Sequence, residues 1–333
     1  MLDAETQSAE PPRRRRSATL LKAAGATIAV LAIVLCAKAL ADQWSEIRTS
    51  IARANLGWLA VALVCSALAM SGLGLLWWRC LHVFNVRVRK RDAVAWYFGG
   101  ELGKYVPGGI WPVLGRGELA LRAGIPRATG YLTTLISYAA MCIAAGMVCG
   151  ALAPVVAVGG HGLGAGWLLL ALIPLGVAVV HPAVMRRVLA LGARITKGKV
   201  DPEPQPWSTM VGLIAWAIPT WLLVGAGSAA ISQGLGYDGE PSRIALAAVA
   251  AWVCGFLVVP VPAGAGLREI VFVGLSGLPA GPAVAVAAIA RLLFVVVDGS
   301  GGVLGLYSAR RAGAARSRAA TATPLTQRHE RSL

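Results

Sequence analysis

Charge is scarce in this chain and uneven in sign. Of 333 residues only 14% are charged, with 31 Lys and Arg against 15 Asp and Glu, while 57% are hydrophobic and the mean hydropathy is +0.67. Soluble domains carry roughly a quarter of their residues charged, so that class is excluded and the chain reads as an integral membrane protein. Cysteines are few: Cys36, Cys65, Cys80, Cys142, Cys149 and Cys254 lie in or beside apolar runs with no CxxC spacing, the setting of small core residues rather than disulfides or ligands. His82, His161, His181 and His329 show no metal-ligand spacing, and neither an HExxH nor a nucleophile elbow occurs. The stretch GGELGKY approaches a phosphate-binding loop, but it is one residue short and Tyr105 stands where the Mg²⁺-holding Ser or Thr belongs. No catalytic constellation is found, so an enzyme is not expected, and neither is a cofactor or a metal. The net charge of +16 is expected to record which loops stay in the cytoplasm, not a nucleic-acid partner.

What is present is apolar length. Runs long enough to cross about 30 Å of hydrocarbon occur at 20–41, 56–78, 128–150, 167–185, 207–231 and 282–306. Two more regions, 93–115 and 244–278, are apolar but broken by Pro and Gly. The first run follows Arg13 to Arg16 and ends in ALADQ, whose Ala39 and Ala41 have the small-x-small form of a cleavage site; its length and its Lys22 and Lys38 argue for a retained span. With six crossings, and each broken region entering and leaving on one face, 24 of the 31 Lys and Arg fall on the cytoplasmic side and only Arg48, Arg53 and Arg243 on the other. That satisfies the positive-inside rule. A full crossing by 93–115 would turn Arg116, Arg122 and Arg127 outward, so a re-entrant helix pair is preferred. The expected organisation is a basic cytoplasmic tail over 1–19, a transmembrane domain over 20–308 and a second basic cytoplasmic tail without structure over 309–333. Such a chain is a multi-pass protein of the cytoplasmic membrane with both termini inside.

Lys104, Arg268 and Arg291 fall at or near membrane depth, as do Lys38 and the acidic Asp298. A central charge costs about 2.5–3.5 kcal/mol on insertion scales, so such residues pair, snorkel or line a cavity. Lys38 is explained by Asp42, four residues on near a helix end. The others cluster around the breaks. Between Gly100 and Glu118, GELGKYVPGGIWPVLGRGE holds six glycines and two prolines. Pro107, Gly108 and Gly109 cannot continue a helix, and freed backbone groups at this depth must line a pocket or be buried in protein. A second half-helix from about Ile110 would point its amides into that pocket, between Lys104 and Arg116. An anion fits, and in a bilayer that means a lipid phosphate. VPVPAGAGLREIVF repeats the grammar, with Pro260, Pro262, Gly264 and Gly266 ahead of Arg268 and Glu269. Paired breaks in two inverted halves mark a transport site. The competing reading is that the charges only neutralise one another: Glu101 with Lys104, Arg116 near Glu118, Arg268 beside Glu269; near neighbours point apart on a helix, so the latter two pairs would need partners elsewhere. Arg291 and Asp298, seven residues apart on one face of the last span, are each placed to reach a partner in the broken segments.

GKYVPGGIWPVLGR and PAGAGLREIVFVGL resemble the two signature segments of the lysylphosphatidylglycerol synthase transmembrane family, the flippase half of the multiple peptide resistance factor, over about residues 20–310. The residues themselves point to an all-α polytopic protein of about six full spans and two re-entrant hairpins, six to eight membrane segments in all, with an inverted repeat; the resemblance implies a polytopic inner-membrane protein with a role in lipid transport. The lipid moved would be an anionic or aminoacylated phospholipid, or a polyprenyl-phosphate-linked one. By motif match it implies a headgroup site at Lys104, Pro107, Gly108, Gly109, Arg116, Arg268 and Glu269. Glu101, Glu118, Arg291 and Asp298 are possible pathway charges read from the residues themselves. Partners would be lipids with anionic headgroups, with a second copy or a membrane enzyme as further options. The soluble aminoacyl-transferase domain of the full synthase is not part of this sequence, so lipid aminoacylation is not expected. The rival functions are a non-transporting partner of a glycosyltransferase or cell-envelope complex and an intramembrane lipid-phosphate enzyme.

Overall fold

The computed structural model describes residues 48, 52, 54–105, 109–158, 164–179, 181, 183–184, 187, 205–257 and 266–322, the side chains of 164–167, 306 and 309–322 excepted. Every regular element among them is helical. In chain order these are α1 (Leu56–Val83), α2 (Lys90–Glu101) with a 3-10 turn (Leu102–Tyr105), α3 (Trp111–Arg122), α4 (Arg127–Val158), a 3-10 segment (Gly164–Ala171) running into α5 (Leu172–Val179), α6 (Trp207–Gly234), α7 (Pro241–Leu257), α8 (Leu267–Ser276) and α9 (Ala280–Ala322). Among the described residues, four helices are long and apolar enough to cross a membrane: α1, α4, α6 and Ala280–Gly305 within α9. The first expected span, 20–41, lies outside the described residues.

The expected span over 167–185 differs from the structure, which has a 3-10 segment and then the eight residues of α5. Pro174 supplies the reason: without an amide proton it cannot bond back to the preceding turn, and its ring crowds the carbonyl four residues earlier. At the other end of the chain, α9 continues to Ala322, past residue 308 where a basic tail was expected.

The broken regions fold back on themselves. With 12 residues each, α2 and α3 reach about 18 Å, too short to cross alone. Pro112 opens α3, where its missing amide costs nothing. The two helices cross where Gly100 meets Gly115: a Cβ on Gly115 would lie 3.2 Å from the Gly100 Cα. Side chains on both would force them apart. In the second pair, Gly255 of α7 faces Arg268 of α8 in the same way.

Long helix, short hairpin, long helix therefore occurs twice, as α1 to α4 and as α6 to α9. The ends of α1 and α6 match in detail. Val86 N–H donates to Leu81 O across Asn85 at φ 59°, and Tyr237 N–H donates to Ser232 O across Gly236 at φ 73°, each at 3.0 Å. Packing repeats as well: α2 lies on α9 as α7 lies on α4, and α1 on α9 as α6 on α4. The mates α1 and α6 run antiparallel, since Gly72 meets Thr220, Gly227 meets Cys65 and Asn55 N–H donates to Gly234 O at 2.8 Å. The halves are thus inverted. Glycine and small side chains let the helices approach where lipid offers no hydrophobic drive between them, while Val64, Leu68, Leu222 and Leu304 face outward.

Candidate functional site

Each hairpin sets one arginine against an aromatic ring. Arg116 of α3 lies with its Cζ 4.0 Å from the Tyr97 ring centre and 5.2 Å from that of Tyr138. Arg268 of α8 lies 4.7 Å from that of Trp252. In both halves a glycine three residues after the ring, Gly100 or Gly255, clears the arginine stem; a Cβ at Gly100 would lie 2.6 Å from the Arg116 Cγ. A guanidinium over an aromatic face gains a cation–π contact, stronger where water is scarce.

Counter-charges separate the two. Arg116 is fully buried and ion-paired through Nη2 to Glu101. Glu101 also holds Lys104, whose Nζ is 3.2 Å from Oε1 and 2.6 Å from Asp298 Oδ2. Tyr105 O–H donates to the same Asp298 oxygen at 2.8 Å. Lys104 and Arg116 therefore balance Glu101 and Asp298. In the second half, Glu269 pairs at 3.0 Å with Arg291 of α9, and Arg268 has no carboxylate within ion-pair distance among the described residues. Its Nε is buried without a hydrogen-bond partner, as is Oε2 of Glu269. Phe256 follows Gly255 where Glu101 follows Gly100. One net positive charge is left.

That charge lines a cleft formed by α6, α7, α8 and α9, with Ser228, Ala251, Trp252, Phe272 and Phe294 around Arg268, Glu269 and Arg291. About 50 Å³ is accessible to the centre of a water molecule, room for a few waters or one phosphate-sized group. The inverted repeat explains why it exists. Matching the halves by their helix-end turns and Gly–Arg contacts puts Ser228 opposite Trp77 and Ala251 opposite Trp96, both tryptophans buried. The volume that two indoles fill in the first half is open in the second.

Of the residues expected at the site, Lys104, Arg116, Glu101 and Asp298 come together in one cluster, and Arg268, Glu269 and Arg291 in another. Glu118, expected as a possible pathway charge, joins neither: it pairs with Arg127 at 2.9 Å on the exposed surface, a partner elsewhere, as Glu101 is for Arg116. Two positions on α3 differ by about 200° around the helix, so Arg116 and Glu118 point apart. Glu269 likewise finds its partner elsewhere, in Arg291. Gly109 is exposed at φ 61°, a left-handed turn residue at the hairpin tip. Pro107 and Gly108 lie outside the described residues. Trp252, Ser228 and Ala251 were not singled out in the sequence; aligning the aromatic-x-x-Gly of α2 with that of α7 is the signal that would have found them.

Compared with known families, residues 22–298 match the model of one described as the lysylphosphatidylglycerol synthase TM region. Among curated proteins nothing matches.

Proposed function

Because the chain belongs to the lysylphosphatidylglycerol synthase transmembrane family, we propose that it translocates a lipid with a phosphate-bearing headgroup between the leaflets of the cytoplasmic membrane. The observation that carries this is Arg268, a half-buried cation stacked on Trp252 and lacking a carboxylate partner among the described residues, whereas its twin Arg116 has a built-in carboxylate. Leaving a charged group unpaired away from water is costly, and a bound anion removes that cost. The Glu101–Arg116 pair shows, within the same molecule, how an oxygen anion sits on such an arginine.

A lipid phosphodiester carries one negative charge, the amount the second half lacks. Bidentate guanidinium recognition suits it. Lys104 and Arg116 each have a carboxylate counter-charge in this conformation, although Nε and Nη1 of Arg116 are buried without a hydrogen-bond partner among the described residues, so the headgroup is expected at Arg268 first. The inverted halves supply the symmetry for presenting a site to either leaflet in turn. No step requires bond making.

Purified protein in vesicles tests this with labelled phosphatidylglycerol in one leaflet. Exchange that rises with protein and falls at least tenfold in Arg268→Gln supports translocation. Chemical conversion of the lipid would support an intramembrane enzyme, and no exchange for any labelled lipid would support a non-transporting partner subunit.

A further inference from the structure

Asp298 is the charged group that transport of a single anion leaves unexplained. Its residue is fully buried in α9, Oδ2 takes both Lys104 and Tyr105, and Oδ1 is buried without a hydrogen-bond partner among the described residues. An ionised carboxylate with an empty buried oxygen forfeits hydrogen bonds that water would have given it. What could occupy that oxygen is limited, because the ammonium of Lys104 already touches the same carboxylate and repels a second cation. A proton is small enough and binds covalently.

We propose that Asp298 is a proton-binding site and that lipid transfer is coupled to proton uptake there; this rests on the lipid-headgroup reading of the Arg268 cleft. Asp298 is contacted by Lys104 and Tyr105 from the 3-10 turn; Glu101 of α2 shares Lys104 and pairs with Arg116 of α3, and the helices packed on α9 also carry Tyr97 on α2 and Arg268 and Glu269 on α8, with Arg291 on α9 itself. Of the other helices on α9, α6 has no Asp, Glu, Lys or Arg, and α1 has none over 56–78, where Cys65 is the titratable group. Charge counting then gives the coupling. With Asp298 ionised the first cluster is neutral and has no use for an anion. With a proton from the aqueous phase bonded to Oδ1, Lys104 and Arg116 exceed Glu101 by one positive charge, the same excess that Arg268 and Arg291 hold over Glu269. Protonation makes the two inverted halves electrically equivalent, and a phosphodiester passes between them with a proton as a neutral pair. Lys104, 16% exposed, is the partly open side by which the proton enters and leaves. Arg291 and Asp298 tie α9 to both hairpins, so movement of one hairpin is felt at the other.

By linkage, a proton that favours lipid binding must be taken up when lipid binds. The full-length protein in detergent, in weakly buffered solution with an indicator dye, is titrated with dioctanoyl phosphatidylglycerol while binding is followed calorimetrically. Wild type is expected to take up about one proton per bound lipid, and Asp298→Asn none while still binding. In vesicles, an imposed pH gradient is expected to accelerate wild-type exchange severalfold and leave Asp298→Asn unchanged. Lipid binding by wild type without proton uptake, together with gradient-independent exchange, overturns the coupling and leaves the headgroup site standing. Failure of wild type to bind lipid overturns both. Because wild type alone decides each arm, a variant that does not fold does not rescue the proposal.

Discussion

Tyr97, Gly100 and Arg116 in the first hairpin recur as Trp252, Gly255 and Arg268 in the second, but Glu101 becomes Phe256, and Trp77 and Trp96 become Ser228 and Ala251. One plan thus carries two fillings. In the first, the chain supplies both the anion and the bulk, so the arginine is a structural post in a neutral network. In the second, it supplies neither, and the same arginine lines an open cleft. The difference shows how an inverted repeat separates scaffold from site: the backbone and the Gly–Arg contact are kept, while the counter-charge is withdrawn.

The largest effect should come from the arginines. Removing one partner of a buried ion pair costs about 3–5 kcal/mol, so Arg116→Gln is expected to lower the unfolding temperature in detergent sharply. Arg268→Gln, which removes a half-buried cation with no carboxylate partner among the described residues, should leave stability unchanged or raised and abolish lipid binding. Equal losses of stability in the two variants would break the comparison.

Next in size is the Lys104 bridge. Lys104→Gln leaves Asp298 with only Tyr105, while Glu101 keeps Arg116. Adding Asp298→Asn should therefore restore more stability than adding Glu101→Gln, with a coupling of about 1–3 kcal/mol. Thermal unfolding of the two double variants measures it, and the reverse order would mean that Lys104 belongs chiefly to Glu101.

Smaller effects are expected at the glycines. A Cβ at Gly100 would lie 3.0 Å from the Arg116 amide nitrogen and 3.2 Å from Pro112 O, which are backbone, whereas at Gly255 the three nearest atoms all belong to the Arg268 side chain. Overpacking costs about 1–3 kcal/mol, so Gly100→Ala should destabilise. Gly255→Ala should instead push Arg268 off Trp252, lowering headgroup affinity with little loss of stability. Calorimetric binding alongside thermal unfolding separates the two outcomes.

Much of the frame was legible in the sequence because its signals are local. Pro and Gly at 107–109 and 260–266 announce the breaks, apolar length announces α1, α4, α6 and α9, and the recurrence of the break ahead of an arginine announces the repeat. Partner choice was not legible. Arg116 finds Glu101 fifteen residues back because an antiparallel hairpin brings its two arms together, whereas spacing along one helix says only that its partner is not Glu118. The cleft was hidden for another reason: it is made by what Ser228 and Ala251 do not fill, and small residues in a span read as ordinary packing until their bulky twins are known.

The central claim is that a phosphate headgroup sits on Arg268 between Trp252, Phe272 and Phe294. Photo-crosslinking with a phosphatidylglycerol carrying a diazirine beside its phosphate, followed by peptide mapping, tests it most directly. Adducts on Trp252, Phe272 or Phe294 that vanish in Arg268→Gln, with none on Tyr97, are the expected result. Adducts confined to outward residues such as Leu222, Val296 and Val303, and unchanged in Arg268→Gln, would contradict it.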